Sequence, residues 1–123
     1  MGRIHLSLAA FFGMTGVALG AFAAHGLQGR LTPAHLEVFQ TGVHYQQIHA
    51  LALLAVALLA RRAGGRLLNA AGACFVLGTL CFSGSLYLMT LAGLKLGLVT
   101  PLGGVLFMVG WACLGLAAWR RAG

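Results

Sequence analysis

Four apolar runs, each long enough to cross a bilayer, are separated by short segments that hold nearly every charge in the chain. A span needs about 20 apolar residues for a hydrocarbon core about 30 Å thick. The runs cover about 4–25, 42–60, 67–92 and 101–119, with the second helix starting near residue 33. A chain of 123 residues has room for four such spans. The expected fold is therefore an all-α membrane protein, a single domain over 1–123. It should be a compact four-transmembrane-helix bundle, antiparallel in up-down order.

Charge supports this and excludes a nucleic-acid partner. The chain holds eight Lys or Arg, one acid and a net charge of +7, and 60% of it is hydrophobic. A soluble domain carries about 25% charged residues. The basic residues sit at the edges of apolar runs, with no interleaved aromatics, so they read as topology signals and contacts to anionic headgroups. Arg3, Arg61, Arg62, Arg66, Arg120 and Arg121 fall at the N-terminus, second loop and C-terminus, whereas Arg30 and Lys95 occupy the other two loops. The positive-inside rule then puts both termini in the cytoplasm of an integral inner (plasma) membrane protein. Arg3, the first run and Ala21-Phe22-Ala23 loosely resemble a signal peptide. That run is about 20 residues, too long for an h-region of about 7–15, so an uncleaved first span is expected.

Local signals refine the helices. Gly16 and Gly20 form a GxxxG pair that Ala24 extends by a turn, a face on which a neighbouring helix can approach closely. Gly26 stands where a helix end favours a left-handed residue. Thr32-Pro33 is an N-cap followed by proline at the first helical position. A helix from Pro33 to Ala60 would be about 42 Å long and should project beyond the hydrocarbon, with Gly42 as a place to bend. Thr100-Pro101 repeats the start signal. The segment His25 to Pro33 resembles Ala92 to Pro101 with one insertion, which leaves open a two-hairpin duplication or convergence on the same caps. Cys74, Cys81 and Cys113 lie inside apolar runs without C-x-x-C spacing and read as small core residues.

The polar residues that need explaining lie between Phe39 and His49 and between Ser83 and Tyr87. A polar group at membrane depth must find a partner within the protein. His49 lies about 10 Å along the helix from Gly42. Tyr45 and Gln46, at i−4 and i−3, share its face. Ser83, Ser85 and Tyr87 fall at the same depth on the third span, so one layer is expected. His49 should face the interior and bond to the third or first helix. It can act as polar glue, as a ligand contact or in proton handling; metal ligation lacks a carboxylate within the span. His5 and His35 are expected at the interfaces. Glu37 is the only acid and there is no aspartate, so neither a two-carboxylate mechanism nor a Ser-His-Asp set is available. Gly103-Gly104 is not a phosphate loop.

Several motifs together carry a resemblance. GAFAAHGL in the first span, Phe39 with Tyr45-Gln46 and His49-Ala50, FSGSLY at 82–87, and TPLGG followed by Gly110-Trp111 resemble the YgdD/YwdK-type family. That family comprises small bacterial membrane proteins, with a mitochondrial relative in animals, grouped as a domain of unknown function. The resemblance covers nearly the whole chain and implies a four-span integral membrane protein. It marks His25, Gly26, Tyr45, Gln46, His49, Ser83, Gly84, Tyr87, Pro101, Gly103, Gly104 and Trp111; His44 departs from the pattern. It implies no established activity.

The candidate ligand-binding or polar-layer residues are therefore His25, Tyr45, Gln46, His49, Ser83, Ser85 and Tyr87, and the helix-packing pair is Gly16 and Gly20. No catalytic residue, metal site or cofactor is expected. The favoured role is a membrane binding, assembly or accessory protein contacting lipids and a protein partner or a second copy. The rivals are a solute, ion or proton pathway past His49, and haem, metal or quinone binding through His25 and His49.

Overall fold

The computed structural model describes residues 2–62 and 64–122, with the side chains of residues 121 and 122 left out. Four helices form there: α1 (Gly2–His25), α2 (Pro33–Arg62), α3 (Arg66–Ala92) and α4 (Val99–Ala122). Each holds a stretch long and apolar enough to cross a membrane, and together they fit a four-span bundle. Ala63 of the basic turn and the Arg121 side chain lie outside the described residues.

Extensive packing joins consecutive helices, α1 to α2, α2 to α3 and α3 to α4. The middle pair is the more enclosed; α1 and α4 turn most of their surface outward. Three apolar clusters run through the interior. Ala23, Leu27, Phe39 and Val43 form one, Ala9, Phe12, Ala50 and Leu53 a second, and Ala52, Val56, Ala71, Phe75 and Phe107 a third. The first two join α1 to α2, and the third joins α2, α3 and α4.

Glycine lets these helices approach, because dispersion packing rather than water exclusion drives association in lipid. On α1, a Cβ at Gly16 would stand 3.0 Å from Gln47 Cγ, and one at Gly20 would stand 3.3 Å from Val43 Cγ1. Both glycines therefore lie against α2. The small face does not extend to Ala24, which is exposed; Ala23 is buried instead. At 3.6 residues per turn the buried stripe steps by three as well as four, and i+8 drifts off it. Between α3 and α4, aromatic rings cover glycines. A Cβ on Gly110 would lie 2.7 Å from Phe75 Cε1, and one on Gly78 would lie 2.6 Å from Phe107 Cδ1. At Gly103 the obstacle is the Phe82 backbone nitrogen itself.

The helix ends correct three expectations. Thr32 caps α2, accepting the His35 N–H at 3.2 Å. Thr100 caps nothing: α4 begins at Val99, and the Thr100 hydroxyl meets Ser85 on α3. The left-handed glycine expected at Gly26 is found instead at Gly29 (φ 84°), while Gly93 (φ 69°) ends α3 in that conformation. Gly26 remains in a turn whose N–H bonds Phe22 O at 2.7 Å, and the Phe22 ring fills the space of its missing side chain. The two similar loop segments thus use their aligned Gly and Thr differently. Gly42 does not interrupt α2; it receives Tyr87, whose Cε1 would be 2.9 Å from a Cβ there.

Candidate functional site

Gln46 is the most heavily bonded side chain at membrane depth. It is buried on α2, and its Nε2 donates to Phe12 O at 2.9 Å and to Thr15 Oγ1 at 2.8 Å, both on α1. Its Oε1 accepts the Tyr87 hydroxyl of α3 at 2.6 Å. One amide thus uses both donors and its acceptor to join three helices. Beside it, Ser83 Oγ donates to Gly42 O at 2.6 Å. Ser85 Oγ donates to Phe82 O within α3 at 2.8 Å and meets Thr100 Oγ1 of α4 at 2.5 Å. The Thr100 hydroxyl also lies 3.8 Å from Met89 Sδ, so Ser85 and Met89 of α3 are both within its reach.

His49 belongs to a separate group. Its ring is buried and stacks on Phe107 of α4, with centroids 3.6 Å apart and planes at 9°. Trp111 Nε1 donates to His49 Nε2 at 3.0 Å, and His49 Nδ1 meets Tyr45 O at 2.7 Å. An indole N–H only donates and a carbonyl only accepts. The bonds therefore fix one neutral tautomer, with the proton on Nδ1 and the lone pair of Nε2 held by Trp111. Both ring nitrogens are engaged. The expected partner on the third or first helix is replaced by one on α4, although Phe75 of α3 lies beside the ring at 5.6 Å.

The structure also divides the shared face drawn for Tyr45, Gln46 and His49. Gln46 points to α1 and α3, whereas Tyr45 and His49 line the other side with Phe82 and Phe107. Neighbouring residues on a helix are about 100° apart, and a helix packed on two sides sends them to different partners. His25 lies elsewhere: it is exposed at the end of α1. Ala23 packs in one cluster with Phe39, and His49 is about 15 Å further along α2 by helical rise. His5 corrects another expectation. It is buried against the bundle and not solvated, with its ring on Gly72 of α3 and its Nδ1 without a hydrogen-bond partner among the described residues.

Sequence reasoning left Phe107, Thr15 and Thr100 out of the site, and only the family resemblance marked Trp111. Trp111 carried a signal, since a tryptophan within a span brings a donor that seeks an acceptor. Tyr45, His49, Phe82, Gly104, Phe107 and Trp111 are among the residues lining a pocket of about 450 Å³. Its wall is mainly aromatic, and no charged residue contributes to it. Among the described residues, no group of three or more His, Cys, Asp or Glu comes together as a metal site would require.

Comparison with known proteins places this arrangement in a family. A family model described as "Protein of unknown function (DUF423)" matches residues 19–104. The chain is 40% identical over 122 residues to a UPF0382 membrane protein of Staphylococcus aureus, covering 98% of this chain and 99% of that protein. It is 41% identical to the UPF0382 membrane protein YwdK of Bacillus subtilis, covering 94% of this chain and 96% of YwdK. It is also 41% identical to the UPF0382 inner membrane protein YgdD of Escherichia coli, over 96% of this chain and 91% of YgdD. No solved structure matches it. With a family model over its middle and relatives alike over nearly its full length, the chain belongs to the DUF423 family of membrane proteins.

Proposed function

We propose that this protein is a bacterial inner-membrane binding or assembly subunit, an accessory to lipids and protein partners and not an enzyme. The observation that carries the reading is where the polar groups go. Gln46, Ser83, Ser85, Thr100, Tyr87, His49 and Trp111 are joined to one another or to backbone, mostly between helices. Groups committed in this way set the register of helices; they are not poised to exchange protons with a substrate. The solute or proton pathway is weakened by the same bonds. The pairing of His25 with His49 in a haem, metal or quinone site is weakened by their separation and by the two engaged imidazole nitrogens.

The proposed topology is antiparallel in chain order with both termini in the cytoplasm. It is supported by contacts of Gly2 with Ala57 and Arg61, Gly16 with Gln47, and Gly20 with Val43, in which α2 runs back along α1. Contacts of Gly78 with Phe107 and of Gly110 with Phe75 support the same relation for α3 and α4. The arginine asymmetry supports the orientation. Fusing a fluorescent protein or alkaline phosphatase to the C-terminus tests it: fluorescence with an inactive phosphatase is expected, and an active phosphatase rejects the orientation. Mild-detergent purification at native abundance tests the accessory role. A reproducible stoichiometric protein or lipid partner is expected, and a bare monomer with turnover of an added substrate would overturn it.

A further inference from the structure

We propose that the pocket beside His49 binds the flat, neutral, carbonyl-bearing ring of a lipid-soluble quinone. The inference goes beyond the accessory role and does not depend on it. The volume, about 450 Å³, lies within the range of small-molecule sites, which are largely apolar or aromatic with a few oriented polar groups. Rings from Tyr45, Phe82, Phe107 and Trp111 share the wall with Pro101, Val105 and Met108, and aromatic rings favour stacked or tilted planar partners. No charged side chain lines it, so an ionised headgroup has no counter-charge there.

The polar lining narrows the ligand further. Trp111 spends its N–H on His49, and His49 spends both nitrogens on Trp111 and the Tyr45 carbonyl. The Tyr45 hydroxyl remains. Tyr45 is 39% exposed, and its hydroxyl has no hydrogen-bond partner among the described residues. In the low-dielectric surroundings of a span, a phenol gains by donating to an acceptor. A quinone carbonyl supplies that acceptor on a neutral ring, and its isoprenoid tail would remain in lipid. Gly104 leaves the space open: a Cβ built on it meets nothing within 4 Å, although the residue lines the pocket.

The test uses the full chain in lipid nanodiscs with Trp119→Phe, which leaves Trp111 as the only tryptophan. A benzoquinone with a short isoprenoid tail is titrated in, and quenching of Trp111 emission is read. Saturable quenching is expected above the linear part that partition into lipid produces. Gly104→Leu should remove the saturable part and keep the helical circular dichroism. Tyr45→Phe, which deletes a single oxygen, should weaken binding about three- to tenfold, the worth of one neutral hydrogen bond. A polyprenyl alcohol of matching tail should not compete. Strictly linear quenching, full competition by the alcohol, or unchanged affinity in Tyr45→Phe each overturns the proposal. Saturation that persists in a folded Gly104→Leu protein also overturns it; should that variant misfold, the tyrosine variant and the competition decide.

Discussion

Gln46 makes three hydrogen bonds from one side chain to two neighbouring helices. Interhelical bonds in membranes average about 0.6 kcal/mol and reach about 1.7, because the separated helices also find partners for their polar groups. Gln46→Leu is expected to destabilise the protein by about 1–2 kcal/mol, as three average bonds would, read by reversible unfolding in mixed micelles. Thr15 keeps an alternative, since its hydroxyl also reaches Phe11 O at 2.9 Å. Tyr87 loses the Gln46 acceptor of its half-buried phenol, so this loss dominates. The double variant Gln46→Leu with Tyr87→Phe should therefore cost less than the sum of the single changes. Strict additivity would show that the 2.6 Å contact between them contributes no coupling.

Helix spacing is set by glycine and aromatic pairs, and the adjacent glycines of α4 separate that role from composition. Gly103 faces the Phe82 backbone, whereas Gly104 faces open space. Gly103→Ala must push α3 and α4 apart, because backbone cannot move aside as a side-chain tip can. A loss of about 1–3 kcal/mol is expected, the range for overpacked cores. Gly104→Ala should be neutral or slightly stabilising, since alanine is the better helix former by about 1 kcal/mol. Equal effects at both positions, measured by the same unfolding assay, would remove glycine packing as the determinant of spacing. The contrast also shows what the sequence could convey. Helix number followed from the length of the apolar runs, and Gly16 with Gly20 from their spacing. Polar residues in the second and third spans were legible as groups in need of partners. Their partners were not, because the same 3.6 period permits several rotations of each helix. Gln46 and His49 were drawn on one face, yet α2 packs on both sides and sends them apart. Thr100-Pro101 looked like Thr32-Pro33 because a threonine hydroxyl serves equally as cap or as interhelical donor; only the proximity of Ser85 decides.

At the scale of the whole molecule, charge is as uneven as packing. On the proposed topology Arg3, Arg61, Arg62, Arg66, Arg120 and Arg121 occupy one end, and Glu37, the only acid, lies on α2 toward the other. No carboxylate side chain of the chain can neutralise the arginine end, so its counter-ions must come from lipid or solution. Two of these arginines, Arg66 and Arg120, line a cleft of about 240 Å³ at the junction of α3 and α4. A basic residue near an anionic leaflet gains about 1 kcal/mol, and the gain fades beyond a Debye length of about 8–10 Å at moderate salt. Thermal unfolding in vesicles should therefore shift upward as phosphatidylglycerol replaces phosphatidylcholine. The shift should shrink in about 1 M salt, where the Debye length is about 3 Å. Arg66→Gln with Arg120→Gln should remove part of the shift and leave stability in phosphatidylcholine nearly unchanged, because the exposed ends of these side chains add little packing. Independence of both lipid charge and salt would mean that the arginines act only in insertion, when orientation is chosen, and not in the folded protein.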